Sequence, residues 1–396
     1  MKHFQSEAGA GPLPWQDAVQ GLTQALAATA VARDQRGGTA KTERDLLRHS
    51  GLLGLSIPAA LGGLGASWQQ TLDVVRGFAR VDSSVAHLFA FHHLLLATTQ
   101  LFGQRAQWQP WIEQTLAQRW FWGNALNPLD KSTRAEPLGD GYIFSGRKSF
   151  CSGASDSDML VASALDPAGK LLIGIVPTHR AGIRVLDDWD NMGQRQTDSG
   201  SVLFEQVEVA AHELLTDPGP LSTPFACLRP LLAQLILANI YQGLGEGALA
   251  EARAFTQQQG RPWMASTAAS ANEDPYVLTH YGDFWLALEG SRALLVQAAA
   301  AFDQAWLRGT VLSEAERGAV AIAVAAAKVA TTRASLEVVH RMFEVTGARA
   351  TTAALRLDRY WRNLRVHTLH DPVDYKVREL GEWALNGRVP APSFYS

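Results

Sequence analysis

The densest run of chemically able side chains is Arg359–Lys376, RYWRNLRVHTLHDPVDYK. It carries Arg359, Arg362, Arg365, His367, His370, Asp371, Asp374 and Lys376, in a C-terminal half otherwise dominated by Ala, Leu and Val. Imidazoles change charge near neutral pH, so two of them three positions apart can hold and move protons. Arginines beside them can grip an anion such as a phosphate. Pro372 stops a helix, which places His370 and Asp371 where a helix exits into a turn. Such groups are costly to bury without partners, and this points to binding or catalysis. The plain alternative is a solvated helix end with idle histidines.

Three further runs offer polar atoms to a ligand. Ser145–Gly153, SGRKSFCSG, sets hydroxyls beside glycines on a strand and leaves backbone N–H groups open to a flat ligand; otherwise it is a hairpin turn. Asn191–Ser201, NMGQRQTDSGS, repeats that chemistry with an arginine. His92 and His93 stand in an apolar helix, where neighbours point to different faces, so at most one of them reaches a site. Gly243–Gly247, GLGEG, follows no strand and reads as helix close packing rather than a phosphate cradle. A metal at HTLHD would need carboxylates on facing helices, and Glu246, Glu251, Glu289 and Glu337 lack the matching Glu-x-x-His; no metal is expected.

The elements that must position these residues fall into three blocks. Helical spacing marks Trp15–Arg33, Glu43–Ser50, Trp68–Arg80, the nearly all-apolar Ser83–Phe102, and a Trp-rich helix within Gly103–Arg119. Residues 1–14 read as a loose tail. From Trp120 short β-branched and aromatic runs alternate with Gly, Pro, Asp and Ser clusters, the signature of a small antiparallel sandwich or barrel. From Phe225 long helices return at Leu228–Gln257, Tyr276–Arg308 and Ser313–Thr346, then about Thr352–Arg365 and Val373–Asn386. Rods of that length suit a four-helix bundle, often buried further by oligomerisation. The expected domains are 1–119, 120–220 and 221–396.

Composition bounds the rest. The chain has 396 residues, 47% hydrophobic and 18% charged, with a net charge of -3. That balance argues against nucleic acid as a partner. Two cysteines, Cys151 and Cys227, make no disulfide framework and suit a reducing compartment. The start MKHFQSEAGAGPLPWQ has no signal-peptide core, and no run of about 18 uninterrupted apolar residues suggests a membrane span. A cytoplasmic protein is expected.

The block order, with GYIFSGRKSFCSGASDSDMLV and NMGQRQTDSGSVLFEQVEV, resembles the acyl-CoA dehydrogenase superfamily. Gly146–Ser152 is similar to the family's G-x-K-x-x-x-[ST] phrase along the flavin. Gly193–Val209 is similar to its G-x-R-x-[ST]-x-S-x-x-V-x-F-x-x-V-x-V phrase. Where dehydrogenases have T-E-P-x-x-G-S-D, this chain has Gly123–Asp130, GNALNPLD. Their base glutamate aligns with Asp371, one methylene shorter and next to His370. RNLRVHTLHDPVDYK, SVAHLFAFHHLLLATTQLFG and the ending PAPSFYS look like the flavin-dependent monooxygenase branch, with dibenzothiophene monooxygenase and the sulfur-acquisition oxidoreductases.

That resemblance implies a two-component enzyme. A separate reductase supplies reduced FMN, O2 adds to it to give a C4a-(hydro)peroxyflavin, and one oxygen passes to a small, sulfur-containing substrate. It implies His370, Ser152, His367 and Asp371 as catalytic candidates, with His370 facing the flavin ring edge near Ser152. Asn124, Ser152, Thr197 and Ser199 would bind the flavin, and Arg261, reaching across a subunit interface, or Arg365 its phosphate. His92, His93 and Trp122 would line the substrate side. It also implies a homotetramer. The alternatives are an FAD-dependent acyl-CoA dehydrogenase or oxidase, with Asp371 as base, and a non-enzymatic flavin-fold scaffold.

Overall fold

The structure, a computed structural model, describes residues 13–396, so most of the expected N-terminal tail and the segment tested for a signal peptide lie outside the described residues. Five helices come first: α1 (Gln16–Arg36), α2 (Lys41–Ser50), α3 (Trp68–Ala79), α4 (Ser83–Phe102) and α5 (Arg105–Gln118). Local chemistry sets their starts. Ser67 and Gln70 form a capping box on α3, and the Asp82 carboxylate caps α4 by accepting from Val85 N at 2.9 Å. Every residue of α4 except Gln100 is buried, so this helix is an interior rod with walls on all sides.

Seven strands follow: β1 (Trp122–Ala125), β2 (Arg134–Leu138), β3 (Gly141–Lys148), β4 (Met159–Leu165), β5 (Leu171–Pro177), β6 (Ile183–Val185) and β7 (Val202–Val209). They form one curled sheet in the order β1-β4-β2-β3-β7-β6, with β5 on β4. The short alternating runs predict antiparallel pairing throughout. Instead β1 and β4 run parallel, Trp122 opposite Met159, because the chain completes the β2–β3 hairpin before coming back alongside β1. That return carries Ser152 past β1, where the Ser152 carbonyl accepts from Asn124 N at 2.9 Å.

The C-terminal block comprises α6 (Leu228–Gln259), α7 (Pro275–Arg308), α8 (Glu314–Thr346), α9 (Asp358–Thr368) and α10 (Val373–Asn386). A helix over Thr352–Arg365 was expected, but α9 starts at Asp358, after a turn in which Arg356 has φ 45°, and runs on to Thr368. The α6 glycines serve close packing. A Cβ at Gly243 would lie 2.5 Å from the Arg76 carbonyl oxygen, and one at Gly247 2.1 Å from that of Arg80. Helices α4 and α8 are long and apolar enough to cross a membrane, but 94% and 61% of their most apolar windows are buried inside the fold.

Candidate active site

Helix α4 and the two β-domain loops bring a line of small polar groups together. His87 Nε2 lies 2.9 Å from Ser152 Oγ, Ser152 Oγ 2.8 Å from Ser199 Oγ, and Ser199 Oγ 2.8 Å from Thr197 Oγ1. Thr197 donates onward to the Gln194 carbonyl at 3.0 Å. All of these side chains are buried. His87 stacks on Phe91 at 3.9 Å between ring centroids and comes within 4.9 Å of the His367 ring. Burial, and secondarily the nearness of His370, pushes the His87 pKa down to about 3, so the ring is neutral at physiological pH. Its Nδ1 is buried with no partner among the described residues.

The loops that hold this line adopt left-handed backbone at non-glycine residues: Phe150 (φ 56°), Gln194 (φ 52°) and Asp198 (φ 45°). Such conformations persist only where surroundings enforce them. Here α2 supplies the enforcement. Arg44 pairs with Asp198 and donates to the Gly153 carbonyl at 3.2 Å, while Arg48 holds Asp156 at 2.8 Å. Gln194 is the central tie. Its backbone N–H donates to Asn363 Oδ1 at 2.7 Å, and its amide donates to Ser83 Oγ at 2.9 Å and to His367 Nδ1 at 3.2 Å. Accepting at Nδ1 leaves the His367 proton on Nε2. Burial first, then neighbouring His87 and His370, holds the His367 pKa well below the ordinary histidine value.

The α9–α10 turn presents charge instead. Asp371 Oδ1 accepts from His370 Nδ1 at 3.0 Å, Lys328 Nζ at 3.2 Å and Gln234 Nε2 at 3.3 Å. Burial alone would raise the Asp371 pKa, but the His370 hydrogen bond and the Lys328 charge outweigh it and hold the carboxyl well below its usual range. Burial lowers the Lys328 pKa, and Asp371 opposes that. A carboxylate committed to three donors is a poor base. His370, with 39% of its side chain exposed, is the group of this turn free to exchange protons with a cavity or solvent.

The structure separates other candidates from this cluster. His92 and His93 are sealed on the opposite side of α4, since five or six residues turn a helix by roughly 140–240°. His92 Nε2 meets the Leu53 carbonyl at 2.9 Å and its Nδ1 accepts from Trp122 N at 3.3 Å; His93 Nδ1 meets Ser56 Oγ at 2.8 Å. Trp122 spends its indole N–H on Thr115 Oγ1 at 2.9 Å. These three anchor α4 to the first β-strand and the loop before α3 and do not line the site. Arg359 and Arg362 are likewise structural, paired with Glu251 at 3.0 Å and Asp34 at 2.6 Å. Among the described residues Arg365 meets only the Thr368 hydroxyl, at 3.5 Å, and Arg261 lies exposed on the loop after α6. Asn124 is buried, its Oδ1 accepting from Leu126 N at 3.2 Å. His87 and Gln194 do not stand out in the sequence as site residues. For His87 the signal was its i, i+4 pairing with Phe91, hidden beside the conspicuous His92-His93 doublet.

Models of the N-terminal, middle and C-terminal domains of acyl-CoA dehydrogenases match residues 15–119, 126–207 and 235–375. The chain belongs to the acyl-CoA dehydrogenase family. Within it, similar proteins are named as monooxygenases, as the sequence resemblance implied. The probable FMNH2-dependent monooxygenase SfnC of Pseudomonas putida is 61% identical over 95% of each chain. The solved methanesulfinate monooxygenase MsuC of Pseudomonas fluorescens matches with TM-score 0.95 and 61% identity, over 97% of this chain and 99% of that one. FMN-bound TdsC, the dibenzothiophene monooxygenase of Paenibacillus sp. A11-2, matches with TM-score 0.91 and 40% identity, over 96% and 99%.

Proposed function

We propose that this protein is the oxygenase of a two-component FMNH2-dependent monooxygenase that places one atom of O2 on a small sulfur compound. The observation that supports it most is the buried, neutral His87–Ser152–Ser199–Thr197 line, ending in an unpartnered imidazole nitrogen opposite His367 and His370. The names of the relatives, FMNH2-dependent and FMN-bound, support FMN over FAD.

The residues present fit a flavin. Ser152, Thr197, Ser199 and the Asn124 amide offer the hydrogen bonds that a ring edge and ribityl chain require, and Arg365 and Arg261 are cations without carboxylate partners among the described residues. Bound reduced FMN supplies the two electrons with which O2 gives one oxygen to substrate and one to water. The chain's own groups manage protons and water. Ser152 holds the proton-bearing edge of the site through His87. His370, oriented by Asp371, gives and takes the proton at the reacting oxygen. His367, held by Gln194, stands beside the His87 ring. Phe91 and the apolar face of α4 keep the space dry.

A dehydrogenase would need Asp371 as a free base over the substrate, and its three donors oppose that reading. Exposed Trp263, Met264, Tyr276 and Leu286 support burial against further copies, as in the expected homotetramer, which would carry Arg261 to a neighbouring site. Two free, buried cysteines suit the cytoplasm, where a separate flavin reductase would supply FMNH2.

The test supplies photoreduced FMN, then O2 and methanesulfinate or dibenzothiophene. The expected result is FMNH2-dependent product, with His370→Ala binding FMN but transferring no oxygen. Tightly held FAD bleached by an acyl-CoA, with no sulfur oxidation, would overturn this reading.

A further inference from the structure

Arg229 is an uncompensated buried cation. It occupies the first turn of the 32-residue helix α6, where the helix end is itself positive and a cation is disfavoured. It is 6% exposed. Arg33, Arg44 and Arg359 are as deeply buried, and each faces a carboxylate. Arg317 leaves Nε and Nη2 without partners among the described residues, but it donates to the Pro390 carbonyl at 2.9 Å and has Glu379 in electrostatic reach. For Arg229 the described residues offer one hydrogen-bond partner, Thr98 Oγ1, which accepts from Nε at 3.4 Å. Nothing among them accepts from the two terminal nitrogens. Burial lowers its pKa to about 10, with the Tyr395 hydroxyl alone opposing, so the guanidinium is charged at neutral pH. A charge held this way is costly unless an anion joins it.

Its position ties that missing anion to the site. Thr98, Phe91 and His87 share one face of α4, spaced seven and four residues apart, so the wall that begins at His87 leads to Arg229. Tyr395 links the two ends: its ring lies 5.9 Å from that of His370, and it feels the charges of both Asp371 and Arg229.

We infer that Arg229 is the anion anchor of the substrate pocket and that the substrate is an alkylsulfinate, RSO2⁻. This rests on the monooxygenase reading above. The planar guanidinium fork matches the two oxygens of a sulfinate and leaves the sulfur lone pair directed toward the His87–His370 end. The reaction balances as RSO2⁻ + O2 + FMNH2 giving RSO3⁻ + FMN + H2O. The sulfur lone pair forms the new S–O bond, the O–O bond breaks, and the second oxygen leaves as water with both electrons and protons from FMNH2. Neutral aromatic sulfides would leave Arg229 buried without a partner and should be poor substrates.

Calorimetry on the FMN-loaded protein tests this, with Arg229→Met and Arg229→Lys as variants and methanesulfinate as the probe. Melting temperature and FMN affinity report whether each variant has folded. The expected result is methanesulfinate binding weakened by about 100-fold in Arg229→Met and by about 10-fold in Arg229→Lys, which keeps the charge but loses the fork. If Arg229→Met does not fold, the lysine variant carries the test alone. Equal sulfinate affinity in wild type and a folded variant overturns the inference. So does a wild type that oxidises dibenzothiophene with FMNH2 but binds no sulfinate, and in both cases the monooxygenase reading stands. A wild type that oxidises no sulfur compound at all overturns that reading itself.

Discussion

His87 and the His92–His93 pair stand on one helix, are buried alike, and are held neutral alike, yet they do different work. On one face, His92 uses both ring nitrogens to tie the Leu53 carbonyl to the backbone of Trp122, and His93 packs edge-on against Phe89 at 4.6 Å. On the other, His87 gives one nitrogen to the Ser152 hydroxyl, leaves the other without a partner among the described residues, and has its ring 4.9 Å from that of His367. Burial and a depressed pKa do not separate a working histidine from a structural one. Nor does an unpartnered nitrogen, since His93 Nε2 is buried without a partner among the described residues; what sets His87 apart is its polar company, the Ser152 hydroxyl at 2.9 Å and the His367 ring at 4.9 Å.

The strongest way to break this comparison is to truncate each side. His87→Ala should lower oxygen transfer by about 10²–10⁴-fold while the fold persists, because a positioned proton-handling group is lost. His92→Ala should leave turnover near wild type and cost about 1–3 kcal/mol of stability, because it strands the Leu53 carbonyl. Steady-state assays beside urea unfolding read both, and reversed outcomes would exchange the roles of the two faces.

A third substitution sharpens the contrast between the neutral wall and the charged turn. Asp371→Asn leaves Lys328 as a buried charge without its counter-charge, and should destabilise the protein by about 3–5 kcal/mol. If the variant unfolds at the wild-type urea concentration, the ion pair does not hold the turn.

The smallest effect is a slope. His87 and His92 titrate near 3 and 4 in the folded chain and near 6.5 when unfolded. Between those values the unfolded chain binds more protons, so stability falls as pH drops below about 6.5, each histidine contributing up to about 1.4 kcal/mol per pH unit. The depressed Asp371 carboxyl works in the same direction, but only below about pH 4, where the unfolded chain starts to take up its proton. Urea unfolding between pH 8 and 5 should therefore show a falling midpoint, and His92→Ala should flatten it.

Much of this was legible in the sequence where the determinants are local. The bounds of α4 and α10 follow from apolar spacing and from Asp82 and Pro372 at their starts. The exit of His370 and Asp371 into a turn follows from Pro372. What the sequence hid depends on remote partners. Arg362 looked available for a ligand, but Asp34, more than three hundred residues earlier, takes it. The parallel β1–β4 pair depends on where the chain returns after its hairpin, which no strand's own residues record. Gln194 looked like an ordinary loop amide, and only the packing of α4, α9 and the β domain shows what it joins.

The most direct test of the central claim is isotopic. Supply the protein with photoreduced FMN, methanesulfinate and ¹⁸O2 in ordinary water, and weigh the product by mass spectrometry. The account predicts methanesulfonate carrying one labelled oxygen, formed by wild type and lost in His87→Ala and His370→Ala. Product labelled from water, or equal labelling in the variants, would contradict it.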